Sequence, residues 1–95
     1  MGSQGSRIGN NVIINTGAIV EHENIIEDSA HIGPGAVLAG KVTVKKETFI
    51  GIRVAVKEYI TIGKNVTVGA GAVVLEDIPD NVVAVGIPAK IIKNK

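Results

Sequence analysis

Two histidines, His22 and His31, are the only imidazoles in this chain of 95 residues. Imidazole is the side chain best suited to take and return a proton near neutral pH, and it is also a common metal ligand. His22 stands between two acids, Glu21 and Glu23. A nearby carboxylate favours the imidazolium that forms when such a base accepts a proton. There is no cysteine, hence no thiol nucleophile and no disulfide framework. Ser29 has no evident base beside it, which argues against a covalent acyl intermediate. A zinc site of the carbonic anhydrase kind needs three protein ligands, and two histidines leave a place only a carboxylate could fill, so no metal is expected. The "GAG" at Gly69–Gly71 is not followed by Gly-Lys-Ser/Thr at phosphate-loop spacing. Proton transfer by histidine is the chemistry that remains.

The elements that must hold these residues are written as a repeat. Steps of six from Ile8 reach Ile14, Val20, Ile26, Ile32, Leu38, Val44, Ile50, Val56, Ile62, Val68 and Val74, all branched aliphatics. A second series starts at Val12 and runs through Ala18, Asn24, Ala30, Ala36, Val42, Thr48, Val54, Ile60, Val66 and Ala72 to Ile78. It is apolar except at Asn24 and Thr48. Inward positions therefore alternate at gaps of two and four. A gap of two is strand alternation, with both side chains on one face, and a gap of four must contain a bend. Gly, Asn and Asp beside those gaps tolerate turn conformations. A period of six and 12 glycines are incompatible with an amphipathic helix. Hydrophobic residues make up 45% of the chain, yet there is one Phe, one Tyr and no Trp, so the core is slim and aliphatic. Short strands, regular bends and a narrow core describe a solenoid.

The pattern resembles the hexapeptide-repeat, left-handed parallel β-helix, in which three hexapeptides make one triangular coil of eighteen residues. On that basis the chain is all-β, with about four coils from Ile8 to about Pro79. The repeat breaks at "EDIPDN", Glu76–Asn81, where Pro79 cannot donate a ladder hydrogen bond. The final "VVAVGIPAKIIKNK" reads as a closing strand and a tail. Residues 1–7, which begin "MGSQGS", are set apart as a tag-like or disordered start, and 8–95 form a single domain. The formal net charge is +1, and basic residues are dispersed apart from Lys90, Lys93 and Lys95. Neither nucleic acid nor a membrane is expected as a partner. No apolar run approaches spanning length and no signal peptide is visible, so a cytoplasmic location is expected.

In an eighteen-residue coil, residues eighteen apart stack one strand spacing apart, about 4.8 Å. His31 lies between inward Ala30 and Ile32 and so points outward from the middle of a side, while His22 falls in a bend. Half a coil separates them, which puts them on different sides of one prism. They can cooperate only between subunits packed side by side, an arrangement the thin core also favours. His22 stacks under Gly40, and His31 under Phe49 and then Thr67. Pro34, Ile52, Ala70 and Pro88 form a smooth strip beside the second column. A histidine on one wall, a bare glycine above it and an apolar strip opposite would suit a long, thin, mostly apolar ligand.

"INTGAIVEHENIIEDSAHIGPGAVLAGKV" and the closing "VVAVGIPAKII" resemble the C-terminal half of bacterial sugar acetyltransferases, the group of sialic acid O-acetyltransferases and UDP-4-amino-sugar N-acetyltransferases. The resemblance covers nearly everything after Arg7 and rests most on "VEHE", the second histidine nine residues on, and "GIPAK". It implies an acetyl-CoA-dependent transfer to an amino or hydroxyl group of a sugar or nucleotide sugar, by direct attack. It further implies that His22 is the general base and Glu23 the acid that raises its basicity. His31 would contact the thioester end of acetyl-CoA, Gly40 would offer a backbone donor near the thioester oxygen, and Ile52 and Ala70 would line the coenzyme. Relatives of this group are homotrimers with the coenzyme between subunits. They also carry an N-terminal nucleotide-sugar-binding α/β domain that this sequence lacks, and Lys57, Glu58 and Tyr59 stand where a Gly-Pro bend is common. The alternative reading is a non-catalytic β-solenoid scaffold, or an acyltransferase fragment without its acceptor-binding domain. An ice-binding solenoid would need a ladder of threonines. Thr43 and Thr61 stack, but Ile25 and Pro79 are expected to flank them.

Overall fold

The computed structural model describes residues 5–95. Each coil contributes three two-residue strands. The first holds β1 (Arg7–Ile8), β2 (Ile13–Ile14) and β3 (Ile19–Val20), and the second β4 (Ile25–Ile26), β5 (His31–Ile32) and β6 (Val37–Leu38). The third holds β7 (Thr43–Val44), β8 (Phe49–Ile50) and β9 (Ala55–Val56), and the fourth β10 (Thr61–Ile62), β11 (Thr67–Val68) and β12 (Val73–Val74). Strands β13 (Val82–Val85) and β14 (Lys90–Asn94) close the chain. Three parallel faces result: β1-β4-β7-β10, β2-β5-β8-β11-β13 and β3-β6-β9-β12, with β14 antiparallel on β13. Register follows the repeat, with Arg7 beside Ile25 and His31 beside Phe49.

Both inward series are buried from the second coil onward, and Ile26, Ile32, Leu38, Ile50 and Ile62 fill the prism. The two polar exceptions are buried as well and satisfied. Thr48 Oγ1 donates to the Gly63 carbonyl (2.6 Å) and accepts from the Val66 N–H (3.0 Å). Asn24 does the corresponding work at another corner.

The corners turn because one residue in each lies in the left-handed region. One corner column is Asn11, Ser29, Glu47, Asn65 and Asn81, and a second is Glu23, Lys41 and Tyr59. The third is Gly17, Gly35, Arg53 and Gly71, so Arg53 (φ 57°) alone carries a side chain there. A carboxylate of the next coil caps the first column at both ends: Asp28 Oδ1 accepts from Asn10 N–H (2.8 Å) and Asp80 Oδ1 from Lys64 N–H (2.9 Å).

Three expectations change. Ser6 and Arg7, set apart with residues 1–7, take part in the first coil: Arg7 pairs with Ile25, and Ser6 Oγ accepts from Asn24 N–H (3.1 Å). The first four residues of that stretch lie outside the described region. The break at Glu76–Asn81 is a shortening of the coil by two residues. Thr67 pairs with Val83, sixteen on, whereas Phe49 pairs with Thr67, eighteen on. Ile78 bridges to Ile62, and Asp77 Oδ1 accepts the Thr61 N–H (2.8 Å). Asp77, not Pro79, therefore flanks Thr61. The same shift brings Gly86 level with Ala70 and takes Pro88 off the apolar strip. The expected tail is strand β14, whose residues are exposed on both sides.

Candidate active site

His22 follows β3 at the corner between the third and first faces. Its turn is tied down from inside. Asn24 Nδ2 donates to the Glu21 carbonyl (2.6 Å), and Asn24 Oδ1 accepts from the Val42 N–H (3.0 Å). Ser6 Oγ donates to the same Glu21 carbonyl (3.1 Å). The carbonyl of His22 itself receives the Lys41 N–H at 3.0 Å. Buried polar groups that are all paired hold one geometry. The turn that carries the exposed imidazole is therefore fixed on both flanks.

The column expected from the sequence is present. A Cβ on Gly40 would lie 2.7 Å from His22 Cε1 and 2.9 Å from its Nε2, so the ring occupies the space that Gly40 leaves. The Gly40 N–H makes no hydrogen bond among the described residues, whereas its carbonyl accepts from Tyr59 N–H at 3.1 Å. Imidazole and free amide share a shallow cleft of about 200 Å³ with Lys41, Glu58 and Tyr59. Glu23 is adjacent, but its carboxylate pairs with Lys41 (3.7 Å), and Lys41 Nζ sits 5.4 Å from the centre of the Tyr59 ring. Among the described residues, no carboxylate lies within ion-pair distance of His22. A larger hollow of about 500 Å³, lined by Arg7, Ile8 and Asp28 among others, is the open end of the first coil and involves neither histidine.

His31 is half-buried on the second face, with Phe49 edge-on at 4.8 Å between ring centres. Beside this column the coils stack backbone on backbone: a Cβ on Gly33 or Gly51 would come within 2.8 Å of main-chain atoms of the next coil, and one on Gly69 within 2.7 Å of Val85 Cγ1. Next to these glycines runs an exposed strip, Pro34, Ile52 and Ala70, and the N–H groups of Ile52 and Ala70 are unpaired among the described residues. Ile52 is 52% exposed, a sizeable apolar side chain open to a ligand. The two histidines lie on different sides of the prism and are not brought together within one chain.

Sequence reasoning missed two partners. Asn24 was visible as the polar member of an apolar series, and that exception marks the corner it fastens. Asn15 gives no such signal in the repeat; the structure turns its amide to His31, 2.6 Å from Nε2. No group of three or more His, Cys, Asp or Glu side chains among the described residues is arranged to hold a metal.

A three-sided parallel solenoid with a histidine laid over a glycine does not by itself fix a function, and comparison with known proteins adds what the chain is similar to. No protein-family model matches the chain. The 2,3,4,5-tetrahydropyridine-2,6-dicarboxylate N-acetyltransferase of Clostridium perfringens is 42% identical over 72 residues, covering 67% of this chain and 30% of that protein. A GDP-perosamine N-acetyltransferase from Caulobacter crescentus, solved as a histidine-to-alanine variant with CoA and GDP-perosamine, superposes with a TM-score of 0.90. It is 46% identical, and the match covers 94% of this chain and 42% of that one. The acetyltransferase domain of PglB from Neisseria gonorrhoeae, in complex with acetyl coenzyme A, superposes with a TM-score of 0.92 at 41% identity, covering 93% and 43%. The chain thus spans less than half the length of each of these three relatives. It is a left-handed parallel β-helix, and its homologues are hexapeptide-repeat acetyltransferases, with sugar N-acetyltransferases among its close structural neighbours.

Proposed function

We propose that this chain is an acetyl-CoA-dependent acetyltransferase domain that acetylates an amino or hydroxyl group of a sugar or nucleotide sugar. The observation that carries the reading is the His22 imidazole lying over Gly40, with the unpaired Gly40 N–H in the same cleft. The exposed strip of Pro34, Ile52 and Ala70 beside the His31 column is apolar. Its free N–H groups suit the amides of a pantetheine arm. Acetyl-CoA supplies an activated acetyl thioester when bound. His22 takes the proton from the acceptor as its nitrogen or oxygen attacks the thioester carbonyl carbon; the carbon–sulfur bond then breaks, and the CoA sulfur leaves as a thiol with the proton that His22 returns. The Gly40 N–H is a donor for the oxygen on which negative charge develops. Glu23, expected to serve His22, has its carboxylate on Lys41 (3.7 Å).

The working assembly in this reading is a homotrimer in the cytoplasm. Only a neighbouring subunit can bring the strip beside His31 to a His22 cleft. GDP-perosamine bound with CoA on the Caulobacter relative supports a nucleotide-sugar acceptor. The test is calorimetric titration with acetyl-CoA together with acetyl transfer by His22→Ala. Removal of a general base should lower the rate by about 10²–10⁴-fold and leave coenzyme affinity nearly unchanged. No heat of binding, or full activity in the variant, would reject the reading.

A further inference from the structure

Asn15 is the foot of the column that continues as Gly33, Gly51 and Gly69, and it alone of these four carries a side chain. Its Nδ2 lies 2.6 Å from His31 Nε2 and 3.3 Å from the Ile32 carbonyl oxygen. A carbonyl only accepts, so the amide atom facing it is the nitrogen. The two N–H bonds of that nitrogen are then used, one on Ile32 O and one on His31 Nε2. A ring nitrogen that accepts a hydrogen bond bears no proton. The neutral imidazole of His31 therefore carries its proton on Nδ1. That is the minor tautomer of a free histidine side chain, so the protein is selecting it. Phe49, edge-on at an interplanar angle of 66°, helps to fix the ring plane. Nδ1 has no hydrogen-bond partner among the described residues.

We propose that Asn15 is a positioning residue that sets His31 as an Nδ1–H donor for a carbonyl oxygen of an acyl-pantetheine ligand lying along the exposed strip Pro34, Ile52 and Ala70. With Nε2 occupied and Nδ1 protonated, neutral His31 has no free lone pair, so it orients a ligand and does not take a proton. The two histidines divide the work: one accepts a proton, the other donates a hydrogen bond. The identity of the ligand rests on the acetyltransferase reading; the tautomer does not.

Two measurements on the full chain separate these parts. Long-range 1H–15N correlation spectra, recorded well above the ordinary histidine pKa of about 6.5, report the tautomer directly. With only two histidines, His22→Ala assigns the signals. His31 is expected as the Nδ1–H form in the unaltered chain. It should become the Nε2–H form in Asn15→Asp, whose carboxylate only accepts, and revert towards Nε2–H in Asn15→Ala. Calorimetry with acetyl-CoA should then show affinity about tenfold weaker in both variants, the size of one lost hydrogen bond, while circular dichroism stays unchanged. An Nε2–H signal for His31 in the unaltered chain overturns the proposal. So does unaltered acetyl-CoA affinity in both variants. If the unaltered chain binds no acetyl-CoA, the acetyltransferase reading and the donor role fall together, and the spectra still decide the Asn15–His31 pairing.

Discussion

A single missing side chain shapes the cleft at the level of residues. Gly40 does not lie in the left-handed region, so its backbone would accept alanine. The added methyl would nonetheless meet the His22 ring at 2.7 Å. The ring is exposed and would swing aside, so the fold should tolerate Gly40→Ala while the base leaves its place. We predict a thermal midpoint close to that of the unaltered chain and a transfer rate lower by about 10²-fold, as expected for an ångström-scale misplacement. Stopped-time acetylation assays with a melting curve would check it. Asn24→Ala should behave in the opposite way. It strands the Val42 N–H inside the prism, and a buried unsatisfied donor costs about 1–3 kcal/mol. Chemical denaturation should read that loss as a lower midpoint.

Among the elements, the corners and the stacking distance decide what each position tolerates. Arg53 occupies a left-handed corner that is glycine in the other three coils of its column. That conformation costs an ordinary residue about 1–2 kcal/mol. Arg53→Gly should therefore raise stability by about 1 kcal/mol, less what glycine adds to unfolded-chain entropy, measurable by urea titration. Gly51→Ala should do the reverse, because its methyl would press on the Val68 carbonyl at 2.8 Å and on Ala70 N at 2.9 Å. Backbone cannot move aside as a side chain can, so a loss of about 1–3 kcal/mol is expected. Most of this architecture was legible in the sequence because a period of six leaves little freedom: strands, faces and the His22–Gly40 and His31–Phe49 columns all follow from counting. Counting failed where the count changes. The two residues missing before Ile78 displaced Pro88, and nothing in a periodic pattern reveals a deletion beyond its last full repeat. Side-chain direction was also invisible, which is why Glu23 was expected to serve His22 but pairs with Lys41, and why Asn15 was not connected to His31.

For the whole molecule, the outer surfaces matter more than the core. The third face presents Ile19, Val37, Ala55 and Val73, an uninterrupted apolar column, with Ile19 and Val37 exposed in the single chain. Apolar columns of this kind mark contact surfaces. In the proposed trimer this face lies against a neighbour, and Val37→Glu should convert trimer to monomer in sedimentation equilibrium. Loss of acetyl-CoA binding should accompany it, because the strip beside His31 would no longer face a neighbouring subunit. A trimer that survives this substitution would place the contact on another face. The constancy of the eighteen-residue register has one more consequence. His22, Gly40, Asn15 and His31 belong to the first coils and the corner just above them, while the exposed strip runs on through Ile52 and Ala70. The prism is in effect a ruler graduated in steps of about 4.8 Å. One whole extra coil, spliced in above Val56, would lengthen the ligand's berth by a single graduation without moving the reacting end, so reach and chemistry could evolve separately on the same scaffold.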